Sequence, residues 1–125
     1  MVLIGYRGGS SSGVSLTVTT ETAEEIEWHD VFVSNERLEK SVMKVGEWQS
    51  YKATVVDDAG NALPEWFCVR LVAVDSSGNK IKLSEVCFAP DVYNPSTKEV
   101  AIAFQAPQEV GTYTVRLEWD DQTQP

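Results

Sequence analysis

The sequence is poor in the residues from which most sites are built. It has one histidine, His29, and two cysteines, Cys68 and Cys87, too few for the four Cys or His ligands of a structural zinc site. With no second histidine and no Ser or Cys in a nucleophile motif, His29 has no evident triad to serve and reads as a surface or partly packed residue. Cations are also scarce: 10 Lys+Arg stand against 19 Asp+Glu, a formal charge of −9. Phosphate neutralisation needs a dense cationic face, so nucleic acid and anionic membrane are excluded as general partners. Long apolar runs are missing. Nothing approaches the roughly 20 residues of a spanning helix. The start, Met1-Val2-Leu3-Ile4-Gly5, falls short of the roughly 7–15 apolar residues of a secretory signal, so the expectation is cytoplasmic synthesis without membrane insertion.

What is present is enough for one domain. The 125 residues are 42% hydrophobic, and a chain of this size buries about two thirds of its unfolded surface, so neither metal nor disulfide is required for stability. Residues 1–13 end in Tyr6-Arg7-Gly8-Gly9-Ser10-Ser11-Ser12-Gly13, a linker composition. They read as an N-terminal arm, flexible or ordered by a partner, with Val2, Leu3, Ile4, Tyr6 and Arg7 as its contact residues. Val14 to Thr20 alternates apolar and hydroxyl residues and reads as a strand. A further strand is expected over about Glu25–Ser34, where Ile26, Trp28 and Phe32 share one parity, with a charged connection over Asn35–Lys40.

Beyond Ser41 the alternation is regular. Tyr51, Ala53 and Val55 alternate with polar neighbours before Asp57-Asp58-Ala59-Gly60-Asn61 breaks the run. Trp66–Asp75 and Lys80–Phe88 flank a tight turn at Ser76-Ser77-Gly78-Asn79. Pro90 and Pro95 bracket a loop, Glu99–Gln105 is another strand, and Tyr113, Val115, Leu117 and Trp119 form the inward stripe of the last one. Several short strands at this spacing predict an all-β antiparallel sandwich over 14–120, followed by a tail at 121–125.

The hairpin can be tested by register. A turn centred between Ser77 and Gly78 sets Asp75 against Lys80, Val72 against Leu83, Arg70 against Glu85 and Phe67 against Phe88, each pair favourable by about 0.2–1 kcal/mol. Cys68 then faces Cys87, at a separation that permits a disulfide; two buried thiols acting as small hydrophobes are the alternative. A bulge at Gly78 would move Val72 opposite Lys82 and separate the cysteines, which favours the unshifted register.

Val45-Gly46-Glu47, Tyr51 to Asp57, Ala59-Gly60-Asn61-Ala62-Leu63-Pro64 and Gly111-Thr112-Tyr113-Thr114-Val115 resemble the entry, first strand, turn and closing strand of bacterial immunoglobulin-like domains of the invasin and intimin type. The resemblance covers about residues 41–120. It implies an immunoglobulin-like β-sandwich used as a spacer or adhesive module, without catalysis.

Other constellations are thinner. Asp57, Asp58, Asp91 and Asn94 are hard oxygen ligands that one end of a sandwich could offer to calcium, but acidic turns are ordinarily solvated, and no metal or other cofactor is expected. Glu24, Glu25, Glu27 and Asp30 form an acidic run rather than two carboxylates across a cleft. Among Trp28, Trp48, Trp66 and Trp119, Trp48 has the parity expected of an exposed ring, the feature a carbohydrate-binding platform would need. The composite expectation is a non-catalytic structural or interaction protein. As a virion surface, decoration or tail subunit it would assemble with other protein subunits through its arm; a cell-surface adhesin, spacer or carbohydrate-binding module is the alternative. Its expected place is a virion or an extracellular surface.

Overall fold

The computed structural model describes residues 2–8, 16 and 25–125. Ten strands and no helix occur among them: β1 (Val2–Tyr6), β2 (Glu25–His29), β3 (Val31–Leu38), β4 (Trp48–Asp57), β5 (Cys68–Asp75), β6 (Lys80–Cys87), β7 (Tyr93–Asn94), β8 (Glu99–Gln105), β9 (Tyr113–Glu118) and β10 (Gln122–Thr123). They form three sheets, β10-β1-β2, β3-β4-β8-β7 and β6-β5-β9. Every pairing is antiparallel except β1 with β2. The fold is therefore all-β and sandwich-like.

Period-two alternation builds the core. Along β4 the odd positions Tyr51, Ala53 and Val55 are buried, and β8 answers with Val100, Ile102 and Phe104. Val69, Leu71 and Leu117 join the same buried cluster from the β6-β5-β9 sheet. Each fully buried aliphatic or aromatic side chain contributes roughly 1.5–3 kcal/mol. Tyr93 is buried with its hydroxyl donating to the Val55 carbonyl at 2.7 Å and accepting from the Leu63 amide at 3.3 Å, so its polar end is satisfied inside the core.

Two turns share one chemistry. In Asp57–Asn61 and Asp75–Asn79 the first residue's carbonyl accepts from the glycine amide at 3.0 Å, and its carboxylate accepts from two later amides at 2.8–2.9 Å. Gly60 and Gly78 hold φ of +79° and +86°, a left-handed conformation that other residues rarely adopt. At Gly78 this shifts the hairpin: Val74 faces Lys80 and Val72 faces Lys82. The unshifted pairs Asp75–Lys80 and Val72–Leu83 are corrected accordingly. A second irregularity between Leu71 and Val72 restores the register, so Arg70 still faces Glu85 and Cys68 still faces Cys87. The two cysteines are joined as a disulfide.

The largest departure from the sequence reading lies at the two ends. Val2 to Tyr6 is the central strand of a sheet, paired in parallel with Glu25–His29 and antiparallel with Gln122–Thr123, so these residues do not form a free arm, and the tail expected at 121–125 contains β10. Tyr6 is buried and lies 5.4 Å, ring to ring, from both Trp66 and Phe67, which continue to Phe88 and Trp119. The physical reason is burial: an aromatic ring packed on Trp66 and Phe67 outweighs the flexibility of its Gly/Ser neighbours. Gln122 completes the seam, its side-chain amide accepting from the Cys68 amide and donating to the Cys68 carbonyl at 2.7 Å each, as a neighbouring peptide group would.

Other boundaries shift. The strand expected over Glu25–Ser34 is two strands in different sheets, divided at Asp30, and the second extends through the expected connection to Leu38. Its register slips between Ser34 and Arg37, where Asn35 takes φ of +54°. Trp66 and Phe67 precede β5 in a turn closed by the Phe67 amide on the Pro64 carbonyl. The strand expected at Val14–Thr20 lies outside the described residues, apart from Leu16.

Candidate binding groove

β9 forms one edge of its sheet. Its six residues pair with β5 without interruption, from Arg70–Glu118 to Asp75–Tyr113, and no other described strand pairs with its second side. The other edge of this sheet and both edges of β3-β4-β8-β7 are blunted. β6 carries Lys80, Lys82 and Glu85, β7 is two residues long, and β3 has the irregularity at Asn35. Charge, brevity and bulges are the usual means of keeping an edge from pairing; β9 carries charge at Arg116 and Glu118 but has neither the brevity nor the bulge.

Beside β9 the two main sheets part to leave a groove of about 540 Å³. Its floor is apolar, with Ala73, Phe104, Ala106 and Val115. One wall is the loop of residues 39–47, shaped by polar side chains. Gln49 is buried, and its amide accepts from the Lys40 amide and donates to the Lys40 carbonyl at 2.9 Å each. Glu47 accepts from the Lys44 amide at 2.6 Å and from the Lys40 ammonium at 3.2 Å; these bonds hold its carboxyl below the usual carboxylate range. Gln105 donates to the Gly46 carbonyl at 3.1 Å. The opposite wall is the loop before β9, where the Tyr113 hydroxyl donates to the Glu109 carbonyl at 2.6 Å. The groove is thus shaped by the chain's own hydrogen bonds.

Its rim is unusually apolar for a pair of loops. Val42 is 83% exposed and Val110 is 90% exposed, and Leu38 and Val45 add further exposed surface beside them. Scattered single hydrophobes on a surface mean little, whereas several around one concavity make the groove a candidate site. No family model matches this chain, and no curated protein or solved structure matches it.

The residues singled out in the sequence fall elsewhere. Val2, Leu3, Ile4 and Tyr6 lie in β1; Ile4 packs against the core and Tyr6 is part of it. Arg7 follows, its amide donating to the His29 carbonyl at 3.0 Å, its carbonyl accepting from the Trp119 indole at 2.9 Å and its guanidinium 3.3 Å from Asp30. These groups serve the chain's own body. Trp48 starts β4 on the outer face and is 63% exposed, away from the groove lining.

The candidate calcium oxygens are engaged locally: Asp57 within its turn, Asn94 on the Ser96 and Thr97 amides, and Asp58 on His29. His29 sits between two acids, with Nδ1 2.8 Å from Asp58 and Nε2 3.3 Å from Glu27. The Asp58 hydrogen bond chiefly raises its pKa, and Asp58 is lowered in return. Both ring nitrogens are committed, so the cluster acts as a tie between β2 and the turn after β4. Sequence reasoning missed the groove. The available signal was the valines Val42, Val45 and Val110 inside segments otherwise written as loops.

Proposed function

We propose that this protein is a non-catalytic interaction subunit that takes up an extended segment of a protein partner in the groove beside β9. The single observation that carries this reading is the coincidence of a continuous, unbulged strand edge with an apolar groove rimmed by exposed valines. In strand addition the edge supplies main-chain hydrogen bonds and the groove takes alternate side chains. The strand order supports an immunoglobulin-like assignment: β3-β4-β8-β7 follows the A-B-E-D order, and β6-β5-β9 follows C′-C-F. On that assignment the G position, beside β9, is the one a partner would complete. A subunit of a virion surface, decoration or tail fits this mode, because repeated copies need a directional, side-on joint.

The test uses the full chain and a designed heptapeptide alternating valine and threonine. Binding is expected to shift the resonances of Ala73, Phe104 and Val115, and Val110→Lys is expected to weaken it at least tenfold. Unchanged groove resonances at millimolar peptide would refute the reading.

A further inference from the structure

The Cys68–Cys87 bridge carries chemistry of its own, independent of the groove. We infer that it is a thiol-exchange site, at which an external thiol attacks Cys87 and becomes attached to the folded chain as a mixed disulfide. Both cysteines lie on the outer face of their sheet, because Val69 and Leu71 take the inner one and Cys87 faces Cys68. Cys87 is exposed and Cys68 half-buried. Thiol–disulfide exchange is an in-line displacement, so the attacking sulfur arrives from the far side of the sulfur it attacks. The bond joins neighbouring strands, and that far side differs for the two cysteines. Beyond Cys87 no other described strand pairs with β6, and the approach is open to water. Beyond Cys68 the Gln122 side chain holds the Cys68 amide and carbonyl at 2.7 Å each, and the nearby Asp120 carboxylate is fixed on Arg70 at 2.7 Å. Cys87 is therefore the sulfur that an incoming thiol reaches.

The departing sulfur has a partner in place. The Trp66 carbonyl lies 3.3 Å from the Cys68 sulfur, an acceptor that a thiol can use and a disulfide sulfur, lacking hydrogen, cannot. In the step, the external thiolate bonds to Cys87 Sγ as the Cys68–Cys87 bond breaks. The electron pair of that bond goes to Cys68 Sγ, which takes a proton from water and donates it in a hydrogen bond to Trp66. No oxidant or reductant is consumed, because one disulfide replaces another. The strands stay in place without the bridge. Their pairing continues one step beyond it, where the Phe88 amide donates to the Phe67 carbonyl at 2.8 Å and the two buried rings pack edge to face at 5.1 Å. On the other side Val69 faces Val86 and Arg70 faces Glu85. The bridge thus lies within a ladder secured on both sides, and in the chain-entropy picture its contribution to stability acts on the unfolded chain. β6 and β9 are opposite edges of one sheet, so a thiol carried on Cys87 leaves the groove unobstructed.

The test treats the full oxidised chain with reduced glutathione and, in a second arm, with a cysteine-ended decapeptide of glycine and serine. Iodoacetamide quenches each reaction and caps the released Cys68 thiol. Peptide mapping is expected to find at least tenfold more mixed disulfide on Cys87 than on Cys68, formed in proportion to thiol concentration while the β5 amides keep their protection from exchange. An adduct with glutathione alone identifies a small thiol as the partner, and one with the peptide as well admits a protein segment; both support the site. Oxidised glutathione is then offered to Cys68→Ser and to Cys87→Ser. Cys87 in the first variant should react at least tenfold faster than Cys68 in the second. Equal reactivity of the two cysteines, an adduct that forms only in unfolding urea, or no adduct at millimolar thiol overturns the inference.

Discussion

Tyr93 inserts one hydroxyl between two peptide groups, the Val55 carbonyl and the Leu63 amide, while its ring stacks on Phe88 at 4.5 Å. Tyr93→Phe keeps the ring and strands both groups in the interior, so a loss of about 1–3 kcal/mol in urea unfolding is expected. His29 gives a different signature. Its folded pKa lies above the ordinary value, so its contribution is complete below the unfolded pKa, near 6.5, and fades as pH rises through the folded value. The destabilisation caused by His29→Gln should accordingly be largest near pH 5.5 and shrink above neutrality, read from melting temperature across pH; a penalty constant with pH would remove the ion pair as its cause. Neither partner was legible in sequence. Asp58 is 29 residues from His29 and Val55 is 38 from Tyr93, and a single sequence carries no signal for such pairings.

Elements were far more readable, because alternation is a local property. Glu99–Gln105 was expected and is found with the same bounds, and Cys68 opposite Cys87 followed from counting along the hairpin. Counting weighed a bulge at Gly78 and rejected it because it would separate the cysteines; what it missed is the second irregularity, between Leu71 and Val72, that restores the register after the left-handed Gly78 has shifted it. The disulfide closes a separation of 19 residues, so Cys68→Ala with Cys87→Ala is expected to cost about 3 kcal/mol in the chain-entropy picture. The change would appear in the urea midpoint, and equal stability of reduced and oxidised protein would contradict it. Gln49 is the corresponding device for the groove wall. Gln49→Leu retains bulk but releases Lys40, and faster amide exchange over residues 39–47 is expected, with little change along β8.

At the scale of the molecule, the ends were misread for a physical reason. Composition reports what a segment can do alone, and Tyr6-Arg7-Gly8-Gly9 looks loose alone; packing reports what it finds, here Trp66, Phe67 and Trp119. Removing residues 1–8 should therefore lower global stability, and Tyr6→Ala alone is expected to cost about 3–5 kcal/mol by analogy with other buried aromatics. A truncated protein melting at the parent temperature would show that β1 contributes nothing to the body. The pairing of β1 with β10 also has a consequence for biosynthesis. Tyr6 meets Gln122, so during translation β1 must wait for residues made more than a hundred codons after it. Its exposed aromatic ring would need shelter from chaperones or from provisional contacts until that sheet can close.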